Sequence, residues 1–186
     1  MFKEKLTYMK KIIFIIALFL TATFSAVKAQ SIAYVDSELI LKHIPEYVTA
    51  QKQLDDLSTT WQQEVDKQYA AIETLYKAYQ NDQVLLNDDM RKRREDEIVN
   101  KEKEVKEFQR QKFGFEGELY KERTRLIQPI QDRVTTAIKE VANAQGIDLI
   151  MDKGTEATFL FANPKLDKSN DIITKLGYKP NPSLAN

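Results

Sequence analysis

The feature that most constrains this chain is the absence of proline from residue 46 to residue 128. The same window is rich in Lys, Glu, Gln and Leu, and its only glycines are Gly114 and Gly117. Because proline and glycine are the residues that most often interrupt helices, this composition predicts long helices. Most of the chain is therefore expected to form a helical rod.

Apolar residues within this window recur at helical spacing. Through its first half they recur about every 3.6 residues, which keeps one stripe on one face, and they are Leu54, Leu57, Trp61, Val65, Tyr69, Ile72, Tyr76 and Tyr79. The second half follows a heptad, typical of a coiled coil, with one polar member and a companion seam. Its positions are Ile98, Val105, Lys112, Leu119 and Leu126, with Phe108 and Phe115 as the companion seam.

The segment between the two stripes, "QNDQVLLNDDM", is rich in residues that form turns and helix caps. It predicts a helical hairpin with arms at residues 46–82 and 88–144. A single unbroken helix in a dimeric coiled coil is the alternative that the sequence leaves open.

The two ends of the chain have the composition of strands. Residues 31–35, 147–151 and 157–162 are short β-branched or aromatic runs, and Lys153–Gly154 is the expected turn between the last two. Three such strands are too few for a stable core, so oligomerisation is expected. The apolar residues expected to form this oligomer body are Ile32, Tyr34, Ile147, Leu149, Met151, Phe159 and Phe161.

The first 29 residues have the organisation of a cleaved secretory signal: a basic start, a short apolar run and small residues at the cleavage point. A membrane anchor is the alternative, although the apolar run is shorter than the roughly 20 residues of a spanning helix. The mature chain, 30–186, is expected to form one domain. Residues 30–45 and 140–177 would form the β body, 46–139 the hairpin arm, and 178–186 a flexible tail.

Composition restricts the classes of function. The signal segment holds five lysines and one glutamate, so the 28 basic and 28 acidic residues of the whole chain leave the mature protein mildly acidic, which argues against nucleic acid as a partner. The chain has no cysteine and one histidine, His43, which is expected to be a packed or surface residue. The sequence shows no nucleophile arrangement, phosphate loop or metal cluster, so no enzyme activity and no cofactor are predicted.

Two clusters in the arms are candidates for a binding function. The basic residues Arg91, Lys92, Arg93 and Arg94 follow the predicted tip, where they form either a solvated surface or a contact with anionic lipid or an acidic client. Apolar candidates for client contact are Phe113, Phe115, Tyr120, Tyr76, Tyr79, Val84, Leu85 and Leu86. Because Phe113 and Phe115 are two residues apart, both cannot enter one narrow seam, and Phe113 is expected to face outward.

The glycines Gly114 and Gly117 lie in the middle of the predicted second arm, where each costs helix stability. We expect them, together with Pro129, to act as a hinge that lets the arm splay. Close packing of the opposing helix against the glycines is the alternative.

Two segments resemble one protein family. "SIAYVDSELILKHIPEY" is similar to the opening strand and helix of the Skp (OmpH-like) periplasmic chaperones, and "LIQPIQDRVTTAIKEVANAQGIDLIMDKGTEATF" resembles the return helix and β-hairpin of that family. The resemblance spans nearly all of residues 31–177, and "IQDRVTTAIKEVANAQGIDLIMD" carries most of its specificity.

The resemblance implies an α+β fold in which a long helical hairpin is inserted into a small β oligomerisation body, assembled as a jellyfish-like homotrimer. It implies an ATP-independent holdase in the periplasm that keeps unfolded outer-membrane β-barrel proteins in a cavity between its arms. The chain departs from the best-known members in being slightly acidic rather than strongly basic. A structural coiled-coil spacer or adaptor of the cell envelope is the alternative function.

Overall fold

The structure is a computed structural model that describes residues 30–154 and 160–184. The predicted signal segment lies outside the described residues. The elements follow in the order β1 (Ile32–Val35), α1 (Ser37–Lys42), α2 (Pro45–Asp82), α3 (Asp88–Phe113), α4 (Glu118–Gln145), β2 (Leu149–Asp152) and α5 (Ser169–Lys175), with 3-10 turns at Pro164–Leu166 and Pro182–Leu184. The described chain is therefore mostly helical, with one small sheet.

The turn of the helical hairpin lies at the predicted position, between Asp82 and Asp88. The first arm helix, α2, has 38 residues and is about 57 Å long. It begins at Pro45, where the missing N–H of proline costs no helical hydrogen bond. After the turn, the Asn87 side chain accepts the N–H of Met90 at 2.9 Å and so caps the N-terminus of α3. Because α2 and α3 are separate helices packed side by side, the chain forms a hairpin and not one unbroken helix.

The main hydrophobic core lies at the root of the hairpin and is built mostly by helices. Its buried residues come from the ends of α2 and α4 next to the sheet, from α1 and α5, and from β1, and they are Val35, Ile40, Ile44, Ala50, Leu54, Ile127, Ile130, Val134, Ala137, Val141, Ile172 and Ile173. The expectation that the two chain ends are too small for a core of their own overlooked this helical contribution. Pro129 lies inside α4 within this region, and Gly146 ends the helix in the left-handed conformation that glycine adopts most easily.

The sheet differs from the prediction. β1 and β2 pair in parallel, with Ile32 opposite Leu149 and Tyr34 opposite Met151. The predicted third strand at 157–162 is not formed at residues 160–162, and its remainder, including Phe159, lies outside the described residues. In the described residues, the turn predicted at Lys153–Gly154 is thus not followed by a strand at residues 160–162.

Of the residues predicted for the oligomer body, four lie on one face of the sheet, Ile32, Tyr34, Leu149 and Met151, and the described remainder lie outside the strands. Ile32, Leu149 and Met151 are exposed, Ile147 is half-buried, and Phe161 is exposed beyond β2. Tyr34 is instead buried against its own chain, and burial, followed by the nearby Asp167 carboxylate, raises the pKa of its hydroxyl. Among the described residues, the part of this face formed by Ile32, Leu149 and Met151 is therefore left uncovered.

The tail was expected to be loose from Tyr178 onward, and its described residues are instead anchored. The Tyr178 side chain packs against the main core, and its hydroxyl donates to the Glu46 carboxylate at 3.0 Å. The backbone N–H of Asn181 donates to Nε2 of His43 at 2.8 Å. The final segment therefore lies along the root of the hairpin.

Candidate functional site

The seam between α2 and α3 forms a second hydrophobic cluster, separate from the main core. Its buried members are Val65, Ile72, Ile98 and Val105, and Leu75, Tyr79, Phe108 and Phe113 pack against them. The predicted stripe and heptad therefore do meet along the hairpin. Tyr79 also donates its hydroxyl to Glu95, and this hydrogen bond, followed by desolvation, raises the pKa of the tyrosine.

The sequence predicts one helix for the second arm, but in the structure this helix is interrupted at residues 114–117. α3 ends at Phe113, α4 begins at Glu118, and Glu116 between them adopts a positive φ of 55°. A Cβ at Gly114 would lie 2.3 Å from the carbonyl oxygen of Arg110, and one at Gly117 would lie 2.9 Å from that of Gln111. Both glycines are therefore required by close approach of the chain to its own backbone, and the opposing helix is not what approaches them.

An aromatic and charged cluster surrounds this interruption. The ring of Phe113 meets that of Trp61 edge to face, with centroids 6.2 Å apart. Nζ of Lys112 lies 4.9 Å from the Trp61 ring and 5.5 Å from the Phe108 ring, and it pairs with the Glu118 carboxylate across the break. Lys112, the polar member of the heptad, thus connects α2, α3 and α4.

The orientation predicted for the two phenylalanines is the reverse of what the structure shows. Phe113 faces inward against Trp61, because the interruption begins only after it and leaves it on the seam side of α3. Phe115 lies within the interruption and is 97% exposed, so it does not lie in the predicted companion seam. The apolar side chain available for contact at this point is Phe115.

Other apolar residues of the arms also remain exposed after the seam is filled. Val84 and Leu85 at the tip are 86% and 84% exposed, whereas Leu86 is half-buried. Tyr76 and Tyr120 are exposed, and Tyr79 is half-buried. Additional exposed apolar residues of the arms, which the sequence analysis did not name as contact candidates, are Val48, Tyr69, Met90 and Val99.

Tyr120 lines an open groove between α2 and α4, just above the root. The groove has a volume of about 270 Å³ and is bordered by Tyr47, Gln51, Arg123 and Ile127, among others. Its walls combine aromatic rings with amide and guanidinium groups.

The basic residues at the tip are partly neutralised by their own helix. Nε of Arg91 donates to the backbone carbonyl of Gln83 at 3.1 Å, and its guanidinium lies 3.7 Å from Asp88. Arg94 pairs with Glu97 at 3.8 Å, while Lys92 and Arg93 are exposed to solvent. Asp88 and Asp89 in the first turn offset the opposition between these cations and the helix dipole.

Groups that could support catalysis or hold a metal are sparse in the described part of the chain. Within residues 30–154 and 160–184, no three His, Asp or Glu side chains are grouped as metal ligands. No helix in the same residues combines the length and apolar character required to cross a membrane. His43 is packed at the end of α1, with Nδ1 2.8 Å from the Leu39 carbonyl oxygen, which agrees with its predicted structural role.

Comparison with protein families gives a match to "Outer membrane protein (OmpH-like)" over residues 31–176, which is most of the chain. The chain belongs to the OmpH-like family. This family, also called Skp, consists of non-enzymatic chaperones, so family membership confirms the prediction that the protein is not an enzyme. A comparison with curated proteins finds no match.

A solved structure supports the same fold. It is described as a candidate outer membrane chaperone (OmpH-like) from Caulobacter crescentus CB15. The two chains share 15% sequence identity and superpose with a TM-score of 0.60, over 80% of this chain and 84% of the other. The arrangement of arms and root therefore has a counterpart in a solved structure of this family.

Proposed function

We propose that this OmpH-like chain is an ATP-independent holdase of the periplasm that binds unfolded outer-membrane β-barrel proteins between its arms and prevents their aggregation. The single observation that carries this proposal is the row of large apolar side chains left exposed after the α2–α3 seam is complete. Exposed apolar groups on an otherwise charged rod serve a purpose when an apolar segment binds them. A rod that only spaced two fixed partners would have no use for Phe115, Val84 and Leu85 on its surface.

The proposal includes export through the predicted signal at 1–29 and assembly as a trimer. The uncovered sheet face with Ile32, Leu149 and Met151 supports assembly, because apolar residues on a small sheet are stabilised when another copy covers them. Exposed Lys92 and Arg93 would add weak attraction to acidic clients or anionic lipid at the tip.

Client contacts are expected to be many and individually weak. An unfolded client keeps its chain entropy only if no single contact is tight. The proposed contacts are Phe115, Tyr120, Tyr76, Tyr79, Val84, Leu85 and Leu86, and Phe113 would contribute only where the arm opens.

The test is light scattering of an unfolded outer-membrane β-barrel protein diluted from denaturant, with and without the mature chain. Suppression of aggregation at about one oligomer per client supports the holdase, and unchanged aggregation would instead favour the spacer. The variant Phe115→Ser with Val84→Ser and Leu85→Ser should suppress aggregation less well. The matched variant Lys67→Ser with Lys77→Ser and Lys103→Ser, on charged parts of the same arms, should behave like the natural protein.

A further inference from the structure

The segment 177–184 follows the part of the chain that matches the family and returns to the root of the hairpin. Its direction is fixed by Gly177, which has a φ of 90° after α5. The N–H of Gly177 donates to the Thr174 carbonyl and that of Tyr178 to the Ile173 carbonyl, both at 3.0 Å. This is a glycine-dependent helix end that turns the chain back toward the core.

Tyr178 joins three elements of the root. Its ring packs against the main core beyond α5, and its hydroxyl donates to Glu46 in the first turn of α2. Arg133 of α4 lies 3.5 Å from both the Tyr178 hydroxyl and the Glu46 carboxylate. The side chain therefore connects the tail to both helices that form the base of the arm.

The next contact of the tail is with His43, which lies between α1 and α2. Its side chain is buried, and Nε2 accepts the backbone N–H of Asn181 at 2.8 Å. Since Nδ1 lies 2.8 Å from the carbonyl oxygen of Leu39, which can only accept, Nδ1 carries the hydrogen. The packed ring is thus the neutral form with a lone pair directed at the tail.

We propose that residues 177–184 are a strap across the root of the arm and that protonation of His43 releases it. A protonated imidazole carries a hydrogen on both ring nitrogens, so Nε2 would face the N–H of Asn181 donor to donor. Histidine is the side chain that commonly changes charge between pH 5 and 8. The strap is then docked at neutral pH and detached as the pH falls.

The other charged groups around the strap keep their charge through this range. The pKa of the Glu46 carboxyl is lowered, first by its own backbone N–H and then by the Tyr178 hydroxyl, so Glu46 stays ionised. Burial, followed by the bond to Glu46, raises the pKa of Tyr178, so its hydroxyl stays protonated. The hydrogen bond from Lys42 to Glu38, at 2.8 Å, raises the pKa of Lys42, and Arg133 of α4 and Lys179 of the strap are the other charged residues beside it. His43 is the group left to respond.

The consequence for client binding rests on the proposed function. With the strap detached, Glu46 on α2 and Arg133 on α4 lose their shared contact with Tyr178 and keep only their direct pair at 3.5 Å, so the base of the arm is freer to open. The strap itself is tested without any client, so its failure and the failure of the holdase proposal are distinguishable.

The experiment is hydrogen–deuterium exchange of the C-terminal peptide of the mature chain at pH 7.5 and 5.5, corrected for the intrinsic pH dependence of exchange. We expect protection of this peptide to fall about fivefold or more at the lower pH, the size of one lost hydrogen bond. In His43→Gln, whose amide oxygen can accept the same N–H but does not titrate, protection should be equal at both values. Unchanged protection in the natural chain, or an equal fall in His43→Gln, would overturn the proposal.

Two further variants keep the test decisive if His43→Gln does not fold. Asn181→Pro removes the N–H that His43 accepts, so the strap should be weakened at both pH values and lose its pH dependence. Tyr178→Phe removes the hydroxyl contacts with Glu46 and Arg133 and leaves the bond to His43, so protection should drop at both values and still decrease with acid. A full pH dependence in Asn181→Pro would contradict the assignment of His43 as the trigger.

Discussion

At the scale of single residues, Lys112 shows how a departure from a pattern can mark a contact. A heptad predicts an apolar residue at this position, and the sequence gives no sign of where a lysine there would point. In the structure its stem and charge fill the space between Trp61, Phe108 and Glu118. These three contact residues of Lys112 belong to three different helices. The spacing of apolar residues along one helix therefore could not predict the contacts.

Lys112→Ala should lower the free energy of unfolding of the arm by about 1–2 kcal/mol, because two cation–aromatic contacts and the pair with Glu118 are lost. Lys112→Met should lose less, since its thioether keeps the contact with the rings. Urea unfolding followed by the fluorescence of Trp61, the single tryptophan of the chain, measures the change in unfolding free energy for both variants. An unfolding midpoint of Lys112→Ala equal to that of the natural chain would contradict this role.

Ser169 is a second residue whose role differs from what the sequence suggests. A serine at the start of a short helix is most simply a cap, but the N-cap position is Lys168. Ser169 is instead buried, donates its hydroxyl to Asp167 at 2.6 Å, and accepts the backbone N–H of Asp36 at 2.8 Å. It therefore fixes α5 to the junction of β1 and α1.

Ser169→Ala should destabilise the root by about 2 kcal/mol, because the N–H of Asp36 loses its acceptor in a partly buried position. Ser183→Ala removes an exposed hydroxyl from the tail and should change stability by less than about 0.5 kcal/mol. Thermal unfolding of the two variants gives the comparison. Equal effects of the two substitutions would show that the buried hydrogen bond is unimportant.

At the scale of elements, the helical hairpin was predictable and the interruption of its second arm was not. Helix bounds near residues 45, 82, 88 and 145 follow from proline, turn residues and glycine, which act locally. Gly114 and Gly117 were also visible in the sequence, but one or two glycines can be tolerated inside a helix at a modest cost. Only the positions of the Arg110 and Gln111 carbonyl oxygens show that a side chain is excluded there.

Replacing both glycines by alanine should convert residues 114–117 toward a continuous helix. The present geometry has no room for either Cβ, and alanine favours helix by about 1 kcal/mol per site. We expect a small gain in the helical circular dichroism signal and, because the proposed hinge is stiffened, altered affinity for large and small clients. Glu116→Gly, which relieves a positive φ and keeps the break, is the matched control. A double alanine variant with unchanged helical signal and client affinity would rule out the hinge.

At the scale of the whole molecule, the sequence identified the right family and the wrong origin of the core. The strands were counted as the body, and their small number implied that one chain could not form a core. The apolar residues of α2 and α4 that build it, such as Leu54, Ile130 and Val134, look the same in the sequence as those of a coiled-coil seam. Whether such residues pack into a core or into a two-helix seam depends on the elements that lie opposite them. The periodicity of one helix carries no information about those elements.

The case for assembly now depends on the uncovered sheet face instead of a missing core. Leu149 is 51% exposed beside Ile32 and Met151, so Leu149→Glu can be accommodated by the single chain but not by an apolar interface between copies. Sedimentation of the mature variant should show smaller species than the natural protein at the same micromolar concentration, with an unchanged far-ultraviolet circular dichroism spectrum. Val99→Glu, an equivalent change on the exposed surface of α3, should sediment like the natural chain. If Leu149→Glu retained the natural assembly, the copies would have to meet through another surface, and the exposed Leu160 and Phe161 beyond β2 would be the next positions to change.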